Sequence, residues 1–212
     1  MRAAHAHGVA PFVRVLANRP ECITGALNIG AAGVLVPHVT GFESARAAVS
    51  ATKFGPVGTR SVCPFVRSAH YSASKSPAYY TDANASVIAG VLLEGKEALS
   101  ELHDILQIPE LDIILIAPYD LSQSLGVTGE TTHPRVVNAV EEACRKAAGH
   151  GKIIGFFVED PERAAEWAKR GVMYLALDVD AQILYRASRS MSVELTRHLQ
   201  EHYETTPTGG RG

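Results

Sequence analysis

Six short runs of Val, Ile and Leu, none of them alternating with polar residues, constrain this chain more than any other feature. They are PFVRV (11–15), AGVLVPHV (32–39), VIAGVLLE (87–94), DIILIAP (112–118), IIGFFV (153–158) and YLALDV (174–179). A strand with one wet face alternates, whereas a strand buried on both faces does not. Between the runs lie segments with apolar residues spaced near 3.6: PECITGALNIG, FESARAAVSATKF, GKEALSELHDILQI, HPRVVNAVEEACRKAAGHG and DPERAAEWAKRG. In the last of these Asp160 and Pro161 supply an N-cap and a first helical residue, and Gly171 closes the helix, as Gly30 and Gly151 close others. Strands alternating with helices build a parallel sheet. Two parallel architectures remain, an open doubly wound sheet and a closed (β/α)8 barrel. Neither GxGxxG nor GxxxxGK follows the first strand, so the usual nucleotide-binding signals of an open sheet are missing. A barrel gathers its chemistry at the C-terminal ends of its strands. Arg14, His38, Glu94, Asp120 and Asp178 stand there. The expected fold is therefore a TIM-type barrel with about six βα units, one domain over residues 1–204. The polar, Gly-rich residues 205–212 read as a disordered tail.

The bulk properties exclude several partners. A net charge of −2 with no basic block argues against nucleic acid, which demands a Lys/Arg surplus on one face. No run nears the ~18 apolar residues that span a bilayer. The N-terminus lacks the apolar core of a signal peptide. Cys22, Cys63 and Cys144 are far apart with no CxxC, as expected of reduced thiols in a cytoplasmic protein. The segment from Gly55 to Asn84 is too long for an ordinary connection and rich in Arg, Tyr, Ser and His, which points to an active-site lid or a subunit contact.

Two apolar runs finish on acids, and Glu94 and Asp120 are each expected to end a barrel strand. Neighbouring strands lie ~4.8 Å apart, so two such carboxylates can converge. They repel unless a cation sits between them or one stays protonated. Carboxylates, waters and substrate oxygens suit Mg²⁺ or Mn²⁺, and Co²⁺ also accepts such a site. Zinc is not indicated, since no His or Cys shows ligand spacing. A plainer reading makes Glu94 a helix cap and Asp120 the start of a loop. Arg14, closing the first strand, favours an anion such as a substrate carboxylate nearby.

The blocks VRV, GAAGVLVPHV, KFGPVGTRSV, LLEGKEAL and IAPYDLSQSLG, followed by HPRV, resemble the HpcH/HpaI aldolase family, metal-dependent pyruvate aldolases related to the citrate lyase β-subunit. The resemblance runs from about residue 10 to about 190, in the family's order. It implies a (β/α)8 barrel of the phosphoenolpyruvate-binding superfamily that is incomplete here. It implies reversible cleavage of a 4-hydroxy-2-oxo acid to pyruvate and an aldehyde, through an enolate stabilised by metal and arginine together. Glu94 and Asp120 match the metal ligands, and Arg14 matches the arginine that holds pyruvate's oxygens. The amides of Tyr119 and Asp120 match those that receive its carboxylate. Lys96 reads as an exposed helix residue, so no Schiff base is expected.

Two departures accompany the resemblance. Leu92 stands where well-known members have a glutamine, which implies a shifted substrate preference, with Phe65 and Tyr71 also near the pocket. The family's first two βα units, the second ending in a turn that carries a histidine base, have no counterpart in this chain. His38 is the candidate replacement base, with His5 and His7 weaker ones. His70 and Tyr71 are expected along the substrate channel, and Asp180 is expected to hold the loop before the last helix. That long amphipathic helix implies a homo-oligomer, by resemblance a trimer of dimers. The competing reading is a barrel that binds metal and 2-oxo acids without turnover. A flavodoxin-like module is a third.

Overall fold

A computed structural model describes residues 1–72 and 76–205. Its six strands are β1 (Phe12–Arg14), β2 (Gly33–Val39), β3 (Ile88–Leu93), β4 (Ile113–Ile116), β5 (Ile153–Val158) and β6 (Tyr174–Leu177). All pair in parallel and in chain order, β1-β2-β3-β4-β5-β6. A doubly wound sheet reverses its strand order at a switch point. This order has no reversal, and that removes the flavodoxin-like alternative.

The sheet is curled into part of a barrel. One face of the strands gives an inner cluster of Leu35, Leu92, Ile113 and Leu115, joined by Phe12, Ile88, Ile153 and Tyr174. Phe12 and Tyr174 belong to the two edge strands, yet their ring centroids are 5.8 Å apart. Only strong curvature brings the edges' inward side chains together. Val34, Val36, Ala89, Val91, Ile114, Ile154 and Phe156 point the other way, into the larger core beneath the helices. Both faces are therefore apolar, as the unbroken runs require.

Glycines make the interior fit. A Cβ on Gly33 would lie 2.5 Å from the Phe12 ring and 2.8 Å from the Ile88 carbonyl oxygen, and one on Gly90 would lie 2.6 Å from Leu35. Each bulky inward residue occupies the space that a neighbouring glycine leaves.

The helices are α1 (Arg2–Ala6), α2 (Pro20–Asn28), α3 (Phe42–Ser50), α4 (Pro77–Ser86), α5 (Lys96–Ser100), α6 (Leu102–Leu106), α7 (Pro118–Ser124), α8 (Pro134–Ala148), α9 (Pro161–Lys169) and α10 (Asp180–Thr205). The punctuation operates as read. The Asp160 side chain accepts from the Arg163 amide at 2.8 Å, and Gly30, Gly151 and Gly171 adopt positive φ after their helices. The segment 95–108 is two helices, not one. Glu101, between them, turns its carboxylate to the Phe42 amide at 2.7 Å, beside Gly41, whose added Cβ would collide with it.

In its described residues the long segment after α3 is not a bare loop. It contains a kinked 3₁₀ stretch, Arg67–Ser72, and α4, which Ser76 caps and Pro77 opens. Asn84 and Phe54 exchange two hydrogen bonds, 2.6 and 3.0 Å, and the buried Lys53 ammonium donates to the carbonyls of Asn84 and Val87. Because it joins a helix to the next strand, the segment lies at the N-terminal ends of the strands. It is not a lid over Glu94 of the same chain. The expected tail at 205–212 lies outside the described residues except for Thr205, the last residue of α10.

Candidate active site

Strand alternation places Leu92 and Glu94 on the same inward side of β3. Leu92 is in the inner cluster, and Glu94, one residue past the strand, emerges above it at the mouth. Arg14 ends β1 on the same face as Phe12. His38 does not follow from alternation alone. Val34 and Val36 face outward, so a regular strand would turn His38 outward too. Instead the β2–β3 register slips between Val36↔Val91 and Val39↔Leu93, which inserts one extra residue. His38 takes a left-handed φ of 58° within this bulge. Bulges re-aim side chains, and this one turns His38 onto Glu94.

The result is a three-residue cluster. His38 Nδ1 lies 2.8 Å from Glu94 Oε2, and Arg14 Nη2 lies 3.8 Å from Glu94 Oε1. Glu94 is only 21% exposed, while Arg14 and His38 are 58% and 65% exposed. Pairs this open to water contribute about 0–1 kcal/mol, so fold stability does not account for the convergence. Glu94 is not a helix cap, because Gly95 holds that position before α5.

Asp120 is placed differently from the sequence expectation. It does not end β4, which stops at Ile116, but stands in the first turn of α7. Among the described residues its carboxylate has no hydrogen bond or ion pair, and it is exposed. Tyr119 turns its ring away from Glu94, and its hydroxyl donates to Glu159. That hydrogen bond is the main cause of the raised phenol pKa. Glu159 was not singled out from the sequence, although the same signal marks it: IIGFFVE is a third apolar run ending on an acid.

Asp178, not Asp180, ties down the final helix. Its carboxylate is almost fully buried and pairs with Arg186 of α10, whose guanidinium also reaches the Glu159 carbonyl at 3.3 Å. Among the described residues Asp180 accepts only from the adjacent Ala181 amide. His70 and Tyr71 are not near Glu94. They line a cavity with Ala32 and Val87, residues that precede β2 and β3, at the other end of the barrel. His5 sits there too, 3.0 Å from the Gly30 carbonyl oxygen. Lys96 is exposed, as expected.

The donor chemistry of this mouth can be tested for a divalent ion. Glu94 and Asp120 offer oxygen only, and Asp120 is free to ligate. Among the described residues no group of three or more His, Cys, Asp or Glu converges. Two carboxylates with waters and substrate oxygens are what Mg²⁺ commonly takes, so these two residues fit a hard ion.

The sequence model of HpcH/HpaI aldolase/citrate lyase matches residues 1–187. The chain belongs to the HpcH/HpaI aldolase/citrate lyase family. It is 33% identical to a 4-hydroxy-2-oxo-heptane-1,7-dioate aldolase of Klebsiella pneumoniae subsp. pneumoniae, over 93% of this chain and 72% of that protein. It is 34% identical to a hydroxypyruvate/pyruvate aldolase of Deinococcus radiodurans, over 99% of this chain and 76% of that protein. A crystal structure of a family member from Burkholderia cenocepacia J2315 superposes with a TM-score of 0.85 at 30% identity, covering 92% of this chain and 77% of that one. The chain thus spans about three quarters of the length of these family members. Among the described residues no helix is long and apolar enough to cross a membrane.

Proposed function

We propose that this HpcH/HpaI family member is a pyruvate-type aldolase that cleaves a 4-hydroxy-2-oxo acid into pyruvate and an aldehyde. Its aldolase relatives make it a carbon–carbon lyase. The narrower reading rests on one observation above all: Arg14, His38 and Glu94, from the ends of three adjacent parallel strands, meet at one point.

Each residue has a role that follows from its chemistry. His38 takes the proton of the 4-hydroxyl as general base. The C3–C4 bond then breaks, the aldehyde leaves, and the electron pair moves through C3–C2 onto the 2-oxo oxygen as an enolate. Arg14 faces that developing charge with a cation fixed in advance, which is where electrostatic stabilisation is most effective. Protonation at C3 completes pyruvate. Tyr119 and Asp120, in the first turn of α7, supply amides for the substrate carboxylate, a role taken from the family resemblance.

Glu94 and Asp120 would hold a divalent ion, Mg²⁺, Mn²⁺ or Co²⁺. Such an ion supplies Lewis-acid polarisation of the 2-oxo group when bound. Leu92, buried directly below Glu94, gives the mouth an apolar floor. The exposed apolar residues of α10, Leu184, Met191 and Leu195 among them, are proposed to pack on another copy of the chain.

The test is pyruvate release from a 4-hydroxy-2-oxo acid by the 212-residue chain with Mn²⁺, beside a Glu94→Gln variant and a chelator control. Release lost in both controls is the expected result. A folded chain that binds Mn²⁺ through Glu94 but releases no pyruvate would favour the alternative, a barrel that binds metal and 2-oxo acids without turnover.

A further inference from the structure

A second chemically equipped cavity lies at the N-terminal ends of β2 and β3. It has a volume of about 830 Å³. The six residues of β3 separate it from Glu94, a distance of roughly 20 Å at ~3.3 Å per residue. Pockets of this size accept metabolite-sized ligands, and the aldolase chemistry above uses none of its residues.

Its wall is cationic in a way that the fold leaves unbalanced. Arg60 is 4% exposed. Its Nη2 donates to the neutral Asn28 side chain at 3.0 Å, and its guanidinium lies over the Phe54 ring, 4.4 Å from the centroid. Its Nε is buried with no hydrogen-bond partner. Among the described residues no carboxylate pairs with Arg60, nor with Arg67 on the same wall. Burial pulls the Arg60 pKa down, chiefly through desolvation. A buried guanidinium with an idle N–H and no counter-charge is costly, and an anion in the cavity removes that cost.

The remaining lining favours a particular anion. Ser68 and Tyr79 bring hydroxyls to the same wall, 3.3 Å from each other. His70 is also there, in a left-handed conformation with φ of 48°. Among the described residues Asp82 is the one acid of the lining; it is exposed and makes no ion pair with either arginine. Two guanidinium groups outnumber that one carboxylate, so the lining stays net positive and favours an anion. Arginine forks and hydroxyls together are the usual partners of phosphate oxygens.

We propose that this cavity binds the phosphate group of a small phosphorylated metabolite, on Arg60 and Arg67, as a site separate from the Glu94 mouth. The cavity is larger than a bare phosphate needs, so an ester fills it better than the free ion. The site stands whether or not the aldolase reading holds.

Titration calorimetry on the full chain would test it, with inorganic phosphate and ribose 5-phosphate as probes and succinate at matched ionic strength as the control. Arg67→Gln should weaken phosphate binding about tenfold or more, the loss of one charge-assisted hydrogen bond. Arg14→Gln, at the opposite end, should leave it unchanged. Ribose 5-phosphate should bind more tightly than inorganic phosphate. Arg67 is chosen because Arg60→Gln risks the fold, and circular dichroism melting would verify that each variant is native. Three results overturn the proposal: no phosphate binding by the folded chain, binding that survives Arg67→Gln but falls with Arg14→Gln, or succinate binding as well as phosphate does.

Discussion

At the residue scale, the decisive contact is the 2.8 Å approach of His38 to Glu94. If His38 is the base, His38→Ala should lower kcat by about 10²–10⁴, while His38→Asn should keep the left-handed bulge, which asparagine tolerates, yet still lack the base. Steady-state kinetics of the two variants separates these roles. Loss of turnover in both marks a base, whereas recovery in His38→Asn marks a backbone role only. Cys144 invites a second measurement. Burial pushes its thiol from the ordinary value of 9.0 up to about 11. The folded pKa is raised, so the stability it carries is complete below pH 9.0 and is lost as pH rises toward about 11, where the unfolded thiol ionises first. Native thiol labelling at pH 8 should therefore spare Cys144 while reaching the half-buried Cys22 and Cys63. Labelling of Cys144 at the same rate as the other two would show that its burial is transient.

At the scale of elements, the sheet is shaped by pairing a large inward side chain with a glycine on the next strand. Gly33→Ala is the sharpest probe, because its new methyl meets the Ile88 carbonyl as well as the flexible Phe12 ring. Overpacking of this kind costs about 1–3 kcal/mol, and urea denaturation should register that loss. Gly90→Ala, which meets mainly the Leu35 side chain, should cost less. The strand runs were legible because burial on both faces writes itself as unbroken apolar residues. α4 and α7 were not read as helices, since PAYYTDANAS and PYDLSQS have little apolar periodicity. What marks them is a proline at the first turn, with Ser76 capping α4.

At the scale of the molecule, two features point outward. The sheet ends at β1 and β6, and nearby Leu16 and Val179 are exposed, Leu16 at 81%. The 26 residues of α10 leave Leu184, Met191 and Leu195 on the surface, spaced seven and four residues apart along one face. An apolar stripe of this length on a free helix fits the contact with another copy of the chain proposed above. The double variant Met191→Glu, Leu195→Glu should lower the mass found by size-exclusion chromatography with light scattering. An unchanged mass would place the interface elsewhere. Because Arg186 ties α10 to Asp178 and the Glu159 carbonyl, the helix base is anchored beside the mouth even where its length projects away.

The sequence by itself determined the six parallel strands, their boundaries to within one or two residues, and the identities of Arg14 and Glu94, because burial and strand alternation are local properties of the chain. It also drew attention to His38, Asp120 and Asp178. Only the tertiary structure decided which of these meet. A one-residue register slip between β2 and β3 brings His38 to Glu94, and helix α7 carries Asp120 past the strand end. The passage from α3 to β3 puts His70 and Tyr71 at the opposite end of the barrel. Register and connection side are relations between distant segments, and no single run of residues records them.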